Sequence, residues 1–314
     1  MDNGPTLEKY YYTHPPLQPH EVRCRVLYAS LCQSDVLTVR AKWGQFRKPL
    51  CPGHEVVARV IEAGSEVTRV QVGDTVCFGP QRDSCSKCRM CDQGEEIYCR
   101  GMMPQEQFLY GKYWGGYSTH IQQPAKHCLK IPPGVDLPSF APFLCAGVTV
   151  FSPIRRHAKK GMNAAVIGIG GLGHLAVQFL SKMGCRVHAW STSESKKELA
   201  LQLGAEKLVL WKRDGVLDLM DHYDLVVSTV SANLEKEQLE NICDVLRPFG
   251  KLIFVGAPPV HQSTPFQPQM LLFKNLSFVG SLVGSLKDYE LMFEFIRKHG
   301  IKSIVEFEDF ENFP

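Results

Sequence analysis

Between residues 22 and 131 apolar and polar positions trade places over short runs. Val22-Arg23-Cys24-Arg25-Val26 alternates one for one, the period of a strand with a single buried face. The β-branched stretch from Glu55 to Ile61 favours the same extended geometry, and Gly73-Asp74 and Gly115-Gly116 punctuate these runs as turns. This half of the chain is predicted to be mostly β. After about Phe151 the period changes. Ala164 to Ile167 reads as a buried strand, and Leu172, Leu175, Ala176, Phe179, Leu180 and Met183 then fall on one helical face closed by Gly184. A strand over Arg186 to Trp190 leads to a helix from about Lys196 to Leu203, opened by the capping-box pattern Ser195-x-x-Glu198 and ended by Gly204. Strands at Leu208 to Leu210 and Leu225 to Val230 precede a helix with Leu239, Ile242, Cys243 and Leu246 on one face. The turn Pro248-Phe249-Gly250 and a strand over Lys251 to Val255 complete the series. Repeated βα units predict an α/β doubly wound parallel sheet following the β-rich part.

Composition bounds what such a fold can do. With 314 residues, 44% apolar and 21% charged, the chain can bury two separate cores. The 35 Lys+Arg against 32 Asp+Glu leave +3 and no basic run, which argues against a nucleic-acid partner and for a small molecule. Met1 to Tyr12 lacks the apolar stretch of a signal peptide, and no window approaches a membrane span. A cytoplasmic protein with no membrane partner is therefore expected. Its twelve cysteines then read as reduced thiols, some of them metal ligands.

Cys85, Cys88, Cys91 and Cys99 lie within fifteen residues, a spacing that folds four soft thiolates around one tetrahedral Zn²⁺ as a closed, structural site. Such a site carries a local charge of about −2, and Arg82, Lys87, Arg89 and Arg100 are near enough in sequence to offset it. A second, dispersed set comprises Cys32, His54-Glu55 and Cys145. Two cysteines and one histidine balance Zn²⁺ and leave a fourth position for water or an alkoxide, although each residue alone reads equally well as ordinary core. The third set is Gly168-x-Gly170-x-x-Gly173, placed between a predicted strand and a predicted helix, where a dinucleotide pyrophosphate meets a helix N-terminus. The acidic residue that binds a ribose 2′-hydroxyl is expected at the end of the next strand. Ser191-Thr192-Ser193 stands there instead, followed by Lys196 and Lys197, so NADP(H) is expected in preference to NAD(H).

Together these residues resemble the zinc-containing medium-chain alcohol dehydrogenases, and most closely their cinnamyl-alcohol-dehydrogenase-like branch. The likeness is carried along nearly the whole chain by Cys32-x-Ser34-Asp35, Gly53-His54-Glu55, Val72-Gly73-Asp74-x-Val76, the four-cysteine lobe, Gly115-Gly116-Tyr117, Ala141 to Thr149, and Gly170-Gly171-Leu172-Gly173-His174. It implies a GroES-like β-rich catalytic domain over 1–147 with a structural-zinc lobe at about 82–100. A Rossmann domain over 148–283 and a C-terminal return over 284–314, apparently shortened, would follow. It also implies two zinc ions per chain, a homodimer, and hydride transfer between NADP(H) and a primary alcohol or aldehyde. Cys32, His54 and Cys145 would hold the catalytic zinc, with Glu55 as an alternative ligand, and Ser34 would pass on the alcohol proton. Ser34, Thr149, Gly168, Gly170, Gly171, Leu172, Gly173, Ser191, Thr192, Ser193, Lys196, Lys197, Thr229, Gly256, Gly280, Ser281 and Leu282 would line the cofactor path. Trp43, Trp114 and Phe143 are candidate pocket walls.

The chain departs from the family pattern at Ala58, where the signature has Gly, and at Gln33 and Leu37, where histidines are common. Leu37 cannot accept a proton and Gln33 cannot titrate, so the proton route is expected to differ. Two other readings stand beside the enzyme. One is a non-catalytic zinc and dinucleotide binding protein or redox sensor. The other, a zinc-ribbon nucleic-acid protein, is disfavoured by the near-neutral charge and the βα pattern.

Overall fold

The computed structural model describes residues 7–44, 46, 48–109, 113–211 and 216–312. The outer bounds expected for the first and last domains, Met1 and Pro314, lie outside the described residues. Two compact units divide the chain, Met1–Cys145 with Lys302–Pro314, and Ala146–Ile301.

In the first unit β1 (Glu21–Ala29), β2 (Val56–Ala63), β3 (Thr75–Phe78), β4 (His120–Pro124) and β5 (Leu129–Lys130) form one sheet in the order β4-β1-β2-β3-β5. Every pairing is antiparallel. The alternation seen in the sequence buries Val22 and Cys24 with Val56, Ala58, Val60, Val76, Phe78 and Ile121 in one core. Ala58, paired with Val26 and Val76, points its extra methyl into that core, which is why alanine is tolerated where glycine was expected. Short helices α1 (Gln33–Val39), α2 (Arg89–Asp92), α3 (Pro104–Gln107) and α4 (Leu137–Phe140) occupy the connections.

The second unit holds β6 (Asn163–Ile167), β7 (Arg186–Ser191), β8 (Lys207–Leu210), β9 (Tyr223–Ser228), β10 (Leu246–Phe254) and β11 (Ser277–Gly280), all parallel, in the order β11-β10-β9-β6-β7-β8. Read from β8, this is the doubly wound order 3-2-1-4-5-6, whose direction reverses between the first and fourth strands. Helices α5 (Ala146–His157), α6 (Gly173–Lys182), α7 (Lys197–Gln202), α8 (Lys236–Val245), α9 (Gln269–Leu272) and α10 (Leu286–His299) complete the unit. Among the described residues no single helix is long and apolar enough to cross a membrane.

Three local expectations change. The capping box at Ser195 does not form. Ser193 is extended and its hydroxyl accepts from Ser195 N–H at 3.3 Å, so Ser195 already lies inside a 3₁₀ turn (Glu194–Lys196) that precedes α7. Leu246, expected on a helix, instead opens β10 opposite Tyr223. The expected turn at Phe249, which has φ 65°, becomes an irregularity within that strand. The second unit also runs past the boundary expected at 283, because α10 packs inside it. Ser285 caps α10 and its buried Asp288 accepts from Ser152 Oγ (2.8 Å), Arg155 Nη2 (2.5 Å) and Arg156 Nη2 (3.2 Å), all on α5.

One polar chain in this unit fixes a protonation state. Trp190 Nε1–H, which can only donate, lies 3.2 Å from Tyr223 Oη, so the Tyr223 proton is directed to His188 Nδ1 at 2.7 Å. His188 is thereby held neutral, with its ring stacked on His222 at 5.2 Å. Burial, helped by His222 and Lys207, holds its pKa down at about 4, against an ordinary value of 6.5. The unfolded chain therefore takes the proton first, and this contribution to stability, complete above pH 6.5, is lost as pH falls towards 4. For a half-buried group the loss is about 1–2 kcal/mol. Thermal melts at pH 7 and 4.5 should show a smaller acid loss for His188→Gln than for the parent; equal losses would refute the assignment.

Candidate active site

Cys32 is the N-cap of α1, His54 and Glu55 lead into β2, and Cys145 closes a 3₁₀ turn over Ala141–Leu144. All four are buried, and their ligand atoms lie within 4.8 Å of one another. A hydrogen bond with Cys145, helped by His54, pulls the Cys32 thiol down to about 4, while the same contact together with burial drives Cys145 up. Burial, with the Cys32 charge added, pushes Glu55 to about 8, and its carboxylate accepts from the Ser30 hydroxyl. Asp35 joins this group from the first turn of α1. Its Oδ1 lies 3.1 Å from His54 Nδ1 and accepts from Gly53 N–H at 2.9 Å, and its Oδ2 accepts from Cys32 N–H at 3.1 Å. Burial opposes its ionisation, but His54 and these N–H groups hold its pKa below the usual carboxylate value. An ionised carboxylate can only accept, so Nδ1 carries the ring proton and Nε2 is the nitrogen that would bind a metal.

The donor chemistry fits a divalent ion. Cys32, Asp35, Glu55 and Cys145 crowd potential negative charge into a buried place, and no lysine or arginine pairs with them among the described residues. A bound Zn²⁺ supplies the missing positive charge. Ser34 is half-buried on α1, and its backbone N–H faces the Cys32 sulfur. Gln33 is exposed and Leu37 is buried; as an amide and a hydrocarbon, neither offers a titrating group. The role of Asp35 was not drawn from the sequence. Its place three residues after a cysteine N-cap, the spacing that lets a side chain return to the cap's N–H, was the available signal.

The four cysteines of the lobe also converge. The sulfurs of Cys88 and Cys91 lie 3.6 Å apart, and those of Cys85 and Cys91, and of Cys88 and Cys99, 3.9 Å apart. A tetrahedron with Zn–S near 2.3 Å has edges of about 3.8 Å. Backbone N–H groups point at these sulfurs. Arg100 and Cys91 N–H bring Cys88 down to about 6, and Cys85 N–H lies 3.4 Å from Cys99 Sγ. Gly101 is required here, since a Cβ would sit 2.4 Å from Cys85 Sγ. Lys87, Arg89 and Arg100 are exposed, but Arg82 does not serve the lobe as expected. Its guanidinium pairs with Glu21 at 3.1 Å and covers the Tyr113 ring at 3.4 Å, because burial demands a partner for its charge. Lys126 reaches the lobe instead, contacting Asp83 (2.6 Å), Ser86 Oγ (3.0 Å) and the Ser84 carbonyl.

In the second unit the expected cofactor residues gather along the carboxyl edge of the sheet. Gly168, Thr229, Gly256 and Ser281 follow β6, β9, β10 and β11, with Thr229 N–H on Ile167 O (3.1 Å) and Ser281 N–H on Phe254 O (3.2 Å). Gly168 has φ 87°, and a Cβ at Gly173 would lie 1.8 Å from Gly168 O. Gly170 and Gly171 face open space, which leaves their N–H groups approachable ahead of α6. Leu172 is half-buried beside them, and Thr149 is buried on α5. Gly280 and Leu282 are exposed at the end of β11. After β7, Ser191 Oγ accepts from Ser193 N–H at 3.1 Å, while Thr192, Lys196 and Lys197 are exposed. Of the aromatic candidates, Trp114 stacks on Tyr12 at 4.7 Å, Phe143 is buried against Phe140, and Trp43 is half-buried.

Residues 18–133 match the alcohol dehydrogenase GroES-like domain, and residues 171–298 match the zinc-binding dehydrogenase family. The chain is 36% identical over 313 residues to cinnamyl alcohol dehydrogenase 8 of Arabidopsis thaliana, covering 97% of this chain and 86% of that protein. It belongs to the zinc-containing medium-chain alcohol dehydrogenases. Within the family it is also 36% identical over 312 residues to NADP-dependent alcohol dehydrogenase C 1 of Mycolicibacterium smegmatis, with 96% and 86% of the two chains covered. Among solved structures, this dehydrogenase superposes on a cinnamyl alcohol dehydrogenase of Sorghum bicolor with a TM-score of 0.87 at 30% identity, covering 95% and 85% of the two chains. The Helicobacter pylori cinnamyl alcohol dehydrogenase complexed with NADP(H) gives 0.86 at 28% identity, covering 94% and 85%.

Proposed function

We propose that this dehydrogenase transfers hydride between NADP(H) and a primary alcohol or aldehyde of broad or cinnamyl type, with aldehyde reduction as its working direction. The observation that carries the reading is the buried convergence of Cys32, His54 and Cys145 with Glu55 at hand. Three of these donors can hold zinc while one position exchanges, whereas the four cysteines of the lobe form a closed set. Zinc bound there supplies Lewis-acid polarisation of the carbonyl, and the nicotinamide supplies the hydride. The chain's own residues do the rest. Asp35 fixes the His54 tautomer, Ser34 moves the substrate proton at its Oγ, and the loop Gly168–Gly173 with Thr229 holds the dinucleotide. The relatives support both the activity and the cofactor, since one is named an NADP-dependent alcohol dehydrogenase and another was solved with NADP(H).

A homodimer in the cytoplasm completes the proposal. β11 is an edge strand, and Leu272, Phe273 and Phe249 of the same unit are 72%, 91% and 72% exposed, an apolar surface suited to a second copy. The activity is tested by following NADPH absorbance against aliphatic, aromatic and cinnamyl-type aldehydes, with NADH in parallel. Turnover of at least one aldehyde with NADPH is expected; a metal-replete protein silent on the whole panel would instead be a non-catalytic binding protein.

A further inference from the structure

Asp35 is held by four donors, two on each oxygen. Cys32 N–H, Gly53 N–H and His54 Nδ1–H belong to the segments that carry the metal donors. The fourth comes from outside them: Tyr117 Oη lies 3.0 Å from Asp35 Oδ2. The same hydroxyl is 3.2 Å from Ser30 O, but it has one proton, and the ionised carboxylate is the stronger acceptor. Four donors fill the acceptor sites of a carboxylate, so the group has no freedom to turn.

Tyr117 is itself fixed against the His54 segment. Gly115 N–H, Gly116 N–H and Tyr117 N–H donate to Cys51 O (2.8 Å), Gly53 O (2.7 Å) and Pro52 O (2.9 Å). A Cβ on Gly53 would lie 2.6 Å from Tyr117 N and 2.7 Å from its ring Cδ1, so that glycine makes room for the tyrosine. We propose that Tyr117 is a positioning residue for the catalytic zinc, acting through Asp35 to aim His54 and Cys32 at the metal. The inference rests on the reading that Cys32, His54 and Cys145 hold that zinc.

The test uses the zinc-loaded enzyme and two readouts, the rate at which a chromophoric chelator strips the catalytic zinc and the kcat and KM for one aldehyde. Tyr117→Phe keeps the ring and its packing and removes only the donor. It is expected to lose zinc about tenfold faster, in line with outer-shell partners of metal ligands, and to lower kcat with KM nearly unchanged. Tyr12→Phe, which removes a phenol donating to His120 O, should match the parent in both. Asp35→Asn should lose zinc faster still, and the double variant Asp35→Asn/Tyr117→Phe should be no worse than Asp35→Asn alone, because both changes act on one route. Parental zinc loss and kcat in Tyr117→Phe, or additive effects in the double variant, would overturn the proposal. A parent enzyme whose catalytic position binds no zinc would overturn the underlying reading together with it.

Discussion

Cys32→Ala and Cys145→Ala are each expected to lower kcat for aldehyde reduction by about a thousandfold or more, while melting temperatures stay within a few degrees of the parent. Polarising a carbonyl contributes several kcal/mol to the barrier, and every 1.36 kcal/mol is a factor of about ten in rate. Removing either thiol leaves one sulfur, His54 and Glu55, and Glu55, whose carboxyl is pushed up to about 8 by burial and is engaged by the Ser30 hydroxyl, is a poor substitute for a thiolate, so zinc should be held far less tightly. The fold survives because it does not rest on this set. β2 is anchored on both sides by β1 and β3, and α1 by its own backbone bonds. Cys88→Ala should behave in the opposite sense. The lobe spans Cys85 to Cys99 with only the short α2 and a 3₁₀ turn, and its N–H groups are directed at sulfur. Metal binding there is coupled to folding, so this variant should lose roughly 5–15 °C in melting temperature while its remaining folded fraction keeps kcat. Metal analysis of the parent should give two zinc ions per chain, one of them missing in each variant. One zinc or none in a fully active parent would refute the division of labour.

How much of this was legible depended on the kind of signal. The β-rich half declared itself through alternation at Val22 to Val26, and the parallel sheet through buried runs such as Ala164 to Ile167, because burial on one face or on both leaves a period in the chain. α5 left no such mark: Ala146 to Ile154 are all buried, so there is no polar face to set a stripe, and Pro153 interrupts the pattern. α10 does carry a stripe, Tyr289, Met292, Phe293 and Ile296. Its assignment to the second unit depends on Asp288 meeting Ser152 and Arg155, contacts across more than 130 residues that no local window contains. The sites follow the same rule. Four cysteines in one loop are visible as spacing, whereas Cys32, His54 and Cys145 are too dispersed for spacing to join them and are linked only through the family motifs around them. Arg82 shows the limit of proximity in sequence, because its charge goes to Glu21 on β1 rather than to the lobe beside it.

Thr192→Asp is expected to lower kcat/KM for NADPH by about a hundredfold and to leave NADH within a few-fold of the parent. The cause is electrostatic. NADP(H) differs from NAD(H) by a 2′-phosphate on the adenosine ribose, and NAD-specific sites place a carboxylate at the end of the second strand, which a dianion cannot approach. Here β7 ends at Ser191, and the next residues present hydroxyls. Within that triplet, Ser191 Oγ already accepts from Ser193 N–H and Ser193 Oγ lies 2.7 Å from Ser195 Oγ, which leaves the exposed Thr192 hydroxyl without a partner among the described residues. Lys196 and Lys197 stand exposed at the start of α7 and form no ion pair among the described residues, so their charge is available to a phosphate. Glu194 is the nearest carboxylate, but it sits inside the 3₁₀ turn, beyond the strand end, and is solvent-exposed. A carboxylate at 192 would meet the phosphate as a like charge, which costs several kcal/mol at short range. Because the position is exposed, salt should screen the penalty, and the ratio of NADPH to NADH efficiencies should recover partly between 0.05 and about 0.5 M salt. Lys196→Ala removes a counter-charge without adding repulsion, so it should cost NADPH about tenfold and show the same salt sensitivity. The measurement is kcat/KM for both cofactors with one good aldehyde. A parent that prefers NADH, or a Thr192→Asp variant that keeps its full NADPH efficiency, would show that the phosphate is recognised elsewhere or not at all.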